Sequence, residues 1–289
     1  MLDTMNFPKS VPAETQEKQP GLEKLMNSKP ICDDPTYNGS GKLKDKVAII
    51  TGGDSGIGKA VAIAYAKEGA KTAIIYKDEH DDAADTKKII ESYGGDCFLL
   101  DGDIGEEAFC KEAVRKVIRN YQKVDILVNN AGEQHTQDSI ENISKEQLLN
   151  TFKTNIFSMF YLTKYCCAFF KKGSSIINTT SITAYKGSKT LIDYSASKGA
   201  IVSFTRSLAL SMADRSIRVN AVAPGPVWTP LIPASFSSDK VSAFGSKTSF
   251  GRPGQPVELA PCYVFLGCND SSYISGEVIH INGGEVVNS

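Results

Sequence analysis

From Lys46 onward, short runs rich in β-branched residues alternate with amphipathic stretches, and that alternation leaves few folds open. The runs are Val47-Ala-Ile-Ile50, Thr72-Ala-Ile-Ile-Tyr76, Cys97-Phe-Leu-Leu100, Asp125-Ile-Leu-Val128, Ser175-Ile-Ile-Asn178, Ile217-Arg-Val-Asn220 and Val278-Ile-His-Ile281. Between them, Ile57, Val61, Ala64 and Tyr65 mark one helical face, and Val114, Val117, Ile118 and Tyr121 mark another at i, i+3, i+4, i+7 spacing. Strands that return through helices lie parallel, and the crossover helices cover both sides of their sheet. Central strands are then continuous apolar runs, as Ala48 to Ile50 and Ile126 to Val128 are. The expected fold is α/β: a doubly wound, seven-stranded parallel sheet with helices on both faces.

A chain of 289 residues, 41% hydrophobic, has room for one large domain and little more. Residues 1–42 contain Pro8, Pro12, Pro20, Pro30 and Pro35 among polar side chains without apolar periodicity, so they are predicted to form an extended arm, with the folded domain at 43–289. The arm is equally compatible with a floppy tail and with a strap across a neighbouring subunit. The 32 basic and 33 acidic residues balance, which excludes the global basic field of a nucleic-acid or anionic-membrane binder. Seven scattered cysteines form no Cys-x-x-Cys pair, and three scattered histidines make no metal site. With no apolar run of bilayer-spanning length and no apolar core in Met1 to Pro8, the expectation is a soluble cytoplasmic protein that binds neither nucleic acid nor membrane.

The first strand runs directly into Thr51-Gly52-Gly53-Asp54-Ser55-Gly56-Ile57-Gly58 and then into a helix. A glycine-rich turn at that point lets the main chain approach a pyrophosphate and aims helix N-terminal amides at its charge. The spacing is Gly-x-x-x-Gly-x-Gly and not Gly-x-Gly-x-x-Gly, yet its position marks the crevice of a Rossmann-type dinucleotide-binding sheet. At the end of the second strand, where acidic residues favour NAD and basic ones NADP, Tyr76 and Lys77 are followed by Asp78, Glu79, Asp81 and Asp82. That conflict leaves NAD and NADP both open. Asp103 and Ile104 follow the third strand, where a carboxylate can accept from an adenine amino group; Asn129-Asn130-Ala131-Gly132 follows the fourth, where small residues permit close passage of a cofactor.

Ser181 precedes Tyr194-Ser-Ala-Ser-Lys198 by thirteen residues, and a phenol and an ammonium four apart share one helix face. A cation beside a tyrosine is expected to lower its pKa from about 10 toward useful proton transfer near neutrality. Tyr-x-x-x-Lys alone arises by chance on many solvated helices; it gains weight from the nucleotide turn upstream.

With Thr51-Gly-x-x-x-Gly-Ile-Gly58, Asn129-Asn-Ala-Gly132, Asn155, Ser181, Tyr194-x-x-x-Lys198 and Pro224-Gly225 in order, the chain resembles the short-chain dehydrogenase/reductase family over about residues 43–287. The arm and Pro20-Gly-Leu-Glu-Lys24 are further similar to a group of bacterial stress-associated oxidoreductases. The resemblance implies that Tyr194 exchanges a proton with the substrate oxygen while hydride passes to or from nicotinamide. It makes Lys198 the residue that tunes Tyr194 and holds the nicotinamide ribose, and Ser181 a donor to the substrate oxygen. Asn155 is expected to interrupt its helix and hold a water linking Lys198 to solvent. It also implies that Pro224, Gly225, Val227 and Thr229 pass the nicotinamide, that residues 231–250, with Phe236 and Phe244, form a substrate lid, and that the assembly is a homotetramer packed through helices within 145–170 and 195–212. His135 is a candidate pocket residue or an idle loop histidine; His280 is expected to face an interior or subunit contact. The expected function is NAD(P)-dependent interconversion of a carbonyl (aldehyde or ketone) and an alcohol. The alternative is a dinucleotide-binding regulatory or scaffold protein without turnover, which would normally show decay at Tyr194 or Lys198.

Overall fold

The computed structural model describes residues 7–285. Its strands are β1 (Val47–Thr51), β2 (Lys71–Tyr76), β3 (Cys97–Asp101), β4 (Ile126–Asn129), β5 (Ser175–Thr179), β6 (Arg218–Pro224) and β7 (Val278–Ile281). All pair in parallel, in the spatial order β3-β2-β1-β4-β5-β6-β7. This is the doubly wound sheet expected from the alternation, with strand limits within a residue or two except β6, which runs on through Val222 and Ala223 to Pro224.

The helices joining the strands are α1 (Gly56–Lys67), α2 (His80–Ser92), α3 (Glu107–Tyr121), α4 (Lys145–Phe152), α5 (Ser158–Cys166), α6 (Thr183–Lys186), α7 (Ile192–Met212), α8 (Ser238–Ser242) and α9 (Pro256–Gly267). One apolar layer gathers α1, α9 and Ile90 of α2 against Ala48, Ile50 and Ile74. The opposite layer sets Val114 and Val117 of α3 and Leu162 of α5 against Val47, Ile49 and Leu127. Alternate residues of β1 thus feed opposite cores, which is why the whole strand is apolar. Tyr65 and Val61 are fully buried as their spacing predicts, while Ile57 and Ala64 at the rim are partly covered. The Tyr65 hydroxyl donates to the Tyr263 carbonyl at 2.8 Å and ties α1 to α9.

Because β1 to β3 are added on one side and β4 to β7 on the other, the connections leave β1 and β4 in opposite directions. A crevice opens at their carboxyl ends, where the loops diverge.

Residues 7–42 contain no strand and one short 3-10 turn, Glu23–Leu25, and they lie against this same domain. Glu23 is buried, accepts from Lys59 Nζ at 2.7 Å through one oxygen and takes the Gly56 amide at 3.0 Å with the other. Asp82 at the start of α2 receives the Glu23 and Lys24 amides at 2.6 and 2.9 Å. Removing one member of a buried ion pair leaves an uncompensated charge and typically costs about 3 kcal/mol or more. Glu23→Ala is therefore expected to lower the urea unfolding free energy by about 3 kcal/mol, whereas loss of the exposed Lys24 to Asp81 pair leaves the midpoint in place; equal effects from both would show that the arm is not held by its buried charge.

Candidate active site

The glycine turn closes over itself at the head of the crevice. Gly52 and Gly56 adopt φ of 61° and 51°, and a Cβ on Gly58 would lie 1.9 Å from the Gly52 carbonyl oxygen, so a side chain there would force the turn apart. The turn is stitched to the loop after β4. Thr51 Oγ1 accepts the Asn130 and Ala131 amides at 2.9 and 3.0 Å, and Asn130 Nδ2 donates to the Thr51 and Gly52 carbonyls at 3.1 and 3.3 Å. A narrow backbone cradle ending in the amides of α1 fits a dinucleotide pyrophosphate.

One cavity of about 610 Å³ runs from this turn to the segment 231–250. Gly52, Asp54 to Ile57, Tyr76, Lys77, Asp103, Ile104, Asn130 to Gly132, Pro224, Gly225, Val227 and Thr229 all line it, as do Ser181, Tyr194 and Lys198, while Gly58 sits behind the turn. Asn155 is fully buried and stands just outside the wall. Here the helix between α4 and α5 widens to a π turn over Lys153–Phe157. Its Oδ1 accepts the Glu133 amide at 2.9 Å, and its Nδ2 donates to the Glu133 carbonyl and Ser197 Oγ, each at 3.0 Å. A Cβ on Gly132 would come within 3.3 Å of both Asn155 Oδ1 and Lys198 Nζ, which explains the small residue at that point.

Tyr194 and Lys198 lie one turn apart on α7 and are 8% and 3% exposed. Lys198 Nζ donates to the Thr179 carbonyl at 2.9 Å and lies 5.4 Å from the centre of the Tyr194 ring. Ser181 lies beside the phenol and favours its ionised form, and Ser181 Oγ accepts from the Thr183 amide and hydroxyl, both at 3.1 Å. The expected lowering of the tyrosine pKa does not occur. Burial pushes Tyr194 up to about 12, with Ser181 offsetting part of the rise, and burial pulls Lys198 down to about 7. In so dry a site the cost of separating charge from water sets the direction of both shifts.

At the β2 end, the acidic run is dispersed. Asp82 and Asp81 turn to the arm, and Glu79 Oε2 accepts the Lys77 amide at 3.0 Å while burial, and then the neighbouring Asp54, raises its carboxyl above the usual range. Asp54 is likewise buried and raised. Lys77 faces the cavity with its ammonium 2.8 Å from Asp103 Oδ2.

Phe236 and Phe244 of the segment 231–250 both line the cavity, their ring centres 6.4 Å apart. Trp228 is buried, and its indole donates to the Ser28 carbonyl of the arm at 2.8 Å. His135 bonds to Glu133 at 3.3 Å and does not line the cavity; His280 packs its ring 4.5 Å from that of Tyr185. Sequence reasoning missed Gln19, Pro20 and Gly21, which form part of the wall. Among the described residues no cluster suits a metal ion, and no helix is long and apolar enough to cross a membrane.

Residues 52–285 match the family model described as enoyl-(acyl carrier protein) reductase. The chain is 58% identical to general stress protein 39 of Bacillus subtilis, covering 98% of this chain and 99% of that one. It is 50% identical to the chloroplastic NADPH-dependent aldehyde reductase 1 of Arabidopsis thaliana, covering 96% and 98%. A short-chain dehydrogenase from Burkholderia cenocepacia, solved in complex with NADP, superposes with a TM-score of 0.80 at 27% identity, over 84% of this chain and 99% of the other. The chain belongs to the short-chain dehydrogenase/reductase family. It is an NAD(P)-dependent oxidoreductase.

The buried lysine has a consequence for stability. Its pKa is about 7 when folded against 10.5 as a free side chain, so the unfolded chain binds more protons between those values. The burial penalty is full below pH 7 and fades as pH rises toward 10.5. Lys198→Met is expected to be inactive yet more resistant to urea than the parent at pH 6, with the gap narrowing by pH 9.5; a variant less stable at pH 6 would show that the charged lysine stabilises the fold.

Proposed function

We propose that the enzyme works as a carbonyl reductase, converting an aldehyde or ketone to an alcohol, with Tyr194 as the proton donor. The observation that carries this reading is the placement of the buried Tyr194 phenol and Ser181 together on the cavity wall, where burial raises the phenol and keeps it protonated in the neutral range. A group that stays protonated is poised to give a proton to an oxygen as negative charge develops on it. Ser181 supplies a second donor to that oxygen, and Thr183 orients the serine. Lys198, fixed on the Thr179 carbonyl, would hold the nicotinamide ribose, and Asn155 clamps the Glu133 backbone beside it. When bound, the dinucleotide supplies the hydride. Its pyrophosphate would be held by the turn at Gly52, Gly56 and Ile57, which Gly58 backs, its adenosine side by Tyr76, Asp103, Ile104 and Asn130 to Gly132, and its carboxamide by Val227 and Thr229.

The preferred cofactor is NADPH. Lys77 is the basic side chain that lines the cavity at the β2 end, with its ammonium beside Asp103, while Asp81 and Asp82 turn to the arm. The name of the Arabidopsis relative supports both the cofactor and an aldehyde substrate. The protein is proposed to act in the cytoplasm, where seven unpaired cysteines suit a reducing compartment. It is proposed to assemble as a homotetramer through α4, α5 and α7, which expose Leu148, Leu149, Phe160 and Leu210.

The experiment is a nicotinamide absorbance assay against aldehydes, ketones and sugars with either cofactor. Activity is expected to be higher with NADPH, and Tyr194→Phe is expected to lower kcat by about 100-fold or more with NADPH affinity kept. Unchanged turnover in that variant would remove Tyr194 as the donor, and a preference for NADH would remove Lys77 as the reader of the ribose.

A further inference from the structure

The arm contributes directly to the cavity, although none of the chemistry proposed above uses it. Gln16 closes on Leu22 through both ends of its amide, at 2.8 and 2.7 Å, and its own amide donates to the Pro233 carbonyl at 2.8 Å. This fixes a loop whose wall-forming residues are Gln19, Pro20 and Gly21. Gly21 packs so tightly on the segment after β6 that a Cβ there would lie 2.3 Å from the Pro230 carbonyl oxygen.

Gln19 occupies the central place. Its Nε2 donates to the Gln134 carbonyl at 2.6 Å and reaches the Ala234 carbonyl at 3.4 Å, while its Oε1 accepts the Gln134 amide at 3.2 Å. On one side is the loop following Gly132, whose neighbour Glu133 is clamped by Asn155. On the other side is the root of the lid, already touching the same loop through Thr136 Oγ1 to the Ser235 carbonyl at 3.3 Å. One half-buried carboxamide therefore joins the loop after β4 to the segment after β6.

We propose that Gln19 is a positioning residue that sets the lid against the substrate-side loop, so that the N-terminal arm forms a wall of the carbonyl pocket and controls how tightly substrate is enclosed. The proposal deepens the carbonyl reductase reading and rests on it for the identity of the substrate. Both a donor and an acceptor are needed at this position. A glutamate would set a carboxylate against two carbonyl oxygens, and a methionine would fill the space without either hydrogen bond.

The test compares Gln19→Glu, Gln19→Met and the shorter Gln19→Asn with the parent by two readouts. In steady-state reduction of an aldehyde with NADPH, Gln19→Glu and Gln19→Met are expected to raise KM about fivefold, the equivalent of one neutral hydrogen bond, with kcat changed less than twofold. Tryptic cleavage of the lid at the exposed Lys240 and Lys247 is expected to quicken by a similar factor, with Gln19→Asn intermediate. Emission of Trp228, the sole tryptophan, which contacts the arm at Ser28, is expected to stay at its parental wavelength and so report a docked arm. Parental KM and cleavage in Gln19→Met would reduce Gln19 to space filling and overturn the proposal. Cleavage needs no turnover: faster cutting in a preparation that reduces no carbonyl would uphold the positioning role while removing the reductase reading.

Discussion

The site depends on keeping an ammonium and a phenol out of water on one turn of α7. Lys198 is nearly inaccessible and has the Thr179 carbonyl as its anchor, and Tyr194 is almost as deeply enclosed. Such burial is unfavourable for the fold, because each side chain resists the charged form it would have in solvent. Two well-filled apolar layers against a seven-stranded sheet supply the stability that the site draws upon. The benefit is chemical: a donor with a fixed protonation state and a fixed place on the wall of a cavity.

The sheet and the loops place the remaining parts around that pair. Divergence of the connections after β1 and β4 opens the crevice, and Thr51 and Asn130 lace its two rims together so that the glycine turn is formed in advance. The π turn at Asn155 rotates an amide into the gap between Glu133 and Ser197, a direction that a regular helix would not give it. At the opposite end, the arm binds the back of the phosphate turn through Glu23 and the root of the lid through Gln19. Cofactor and substrate ends of the pocket thus share one strap.

The strands were legible because buried parallel strands are uninterrupted apolar runs, and the crevice was legible because glycines and small residues stand immediately after β1 and β4. The phenol and ammonium were legible as a pair from their four-residue spacing, but not their protonation: spacing carries no information on how dry a site is, and the expectation of an acidic tyrosine reversed once burial was known. The contradictory charges after β2 resolved only in space, where Asp81 and Asp82 meet the arm and Glu79 turns inward. The course of the arm was illegible for a related reason. It is held by scattered long-range contacts at Gln19, Glu23 and Ser28, which leave no periodic trace in sequence.

The most direct measurement of the central claim is the pH dependence of kcat/KM for alcohol oxidation and carbonyl reduction between pH 8 and 10. Oxidation needs the phenolate, whose population climbs about tenfold per pH unit below a pKa near 12. The account predicts an oxidation rate that climbs steadily across this window, with reduction losing nothing to ionisation of the phenol. A plateau in oxidation already reached at pH 8 would mean that the tyrosine ionises near neutrality, and would contradict the buried, protonated donor on which the mechanism rests.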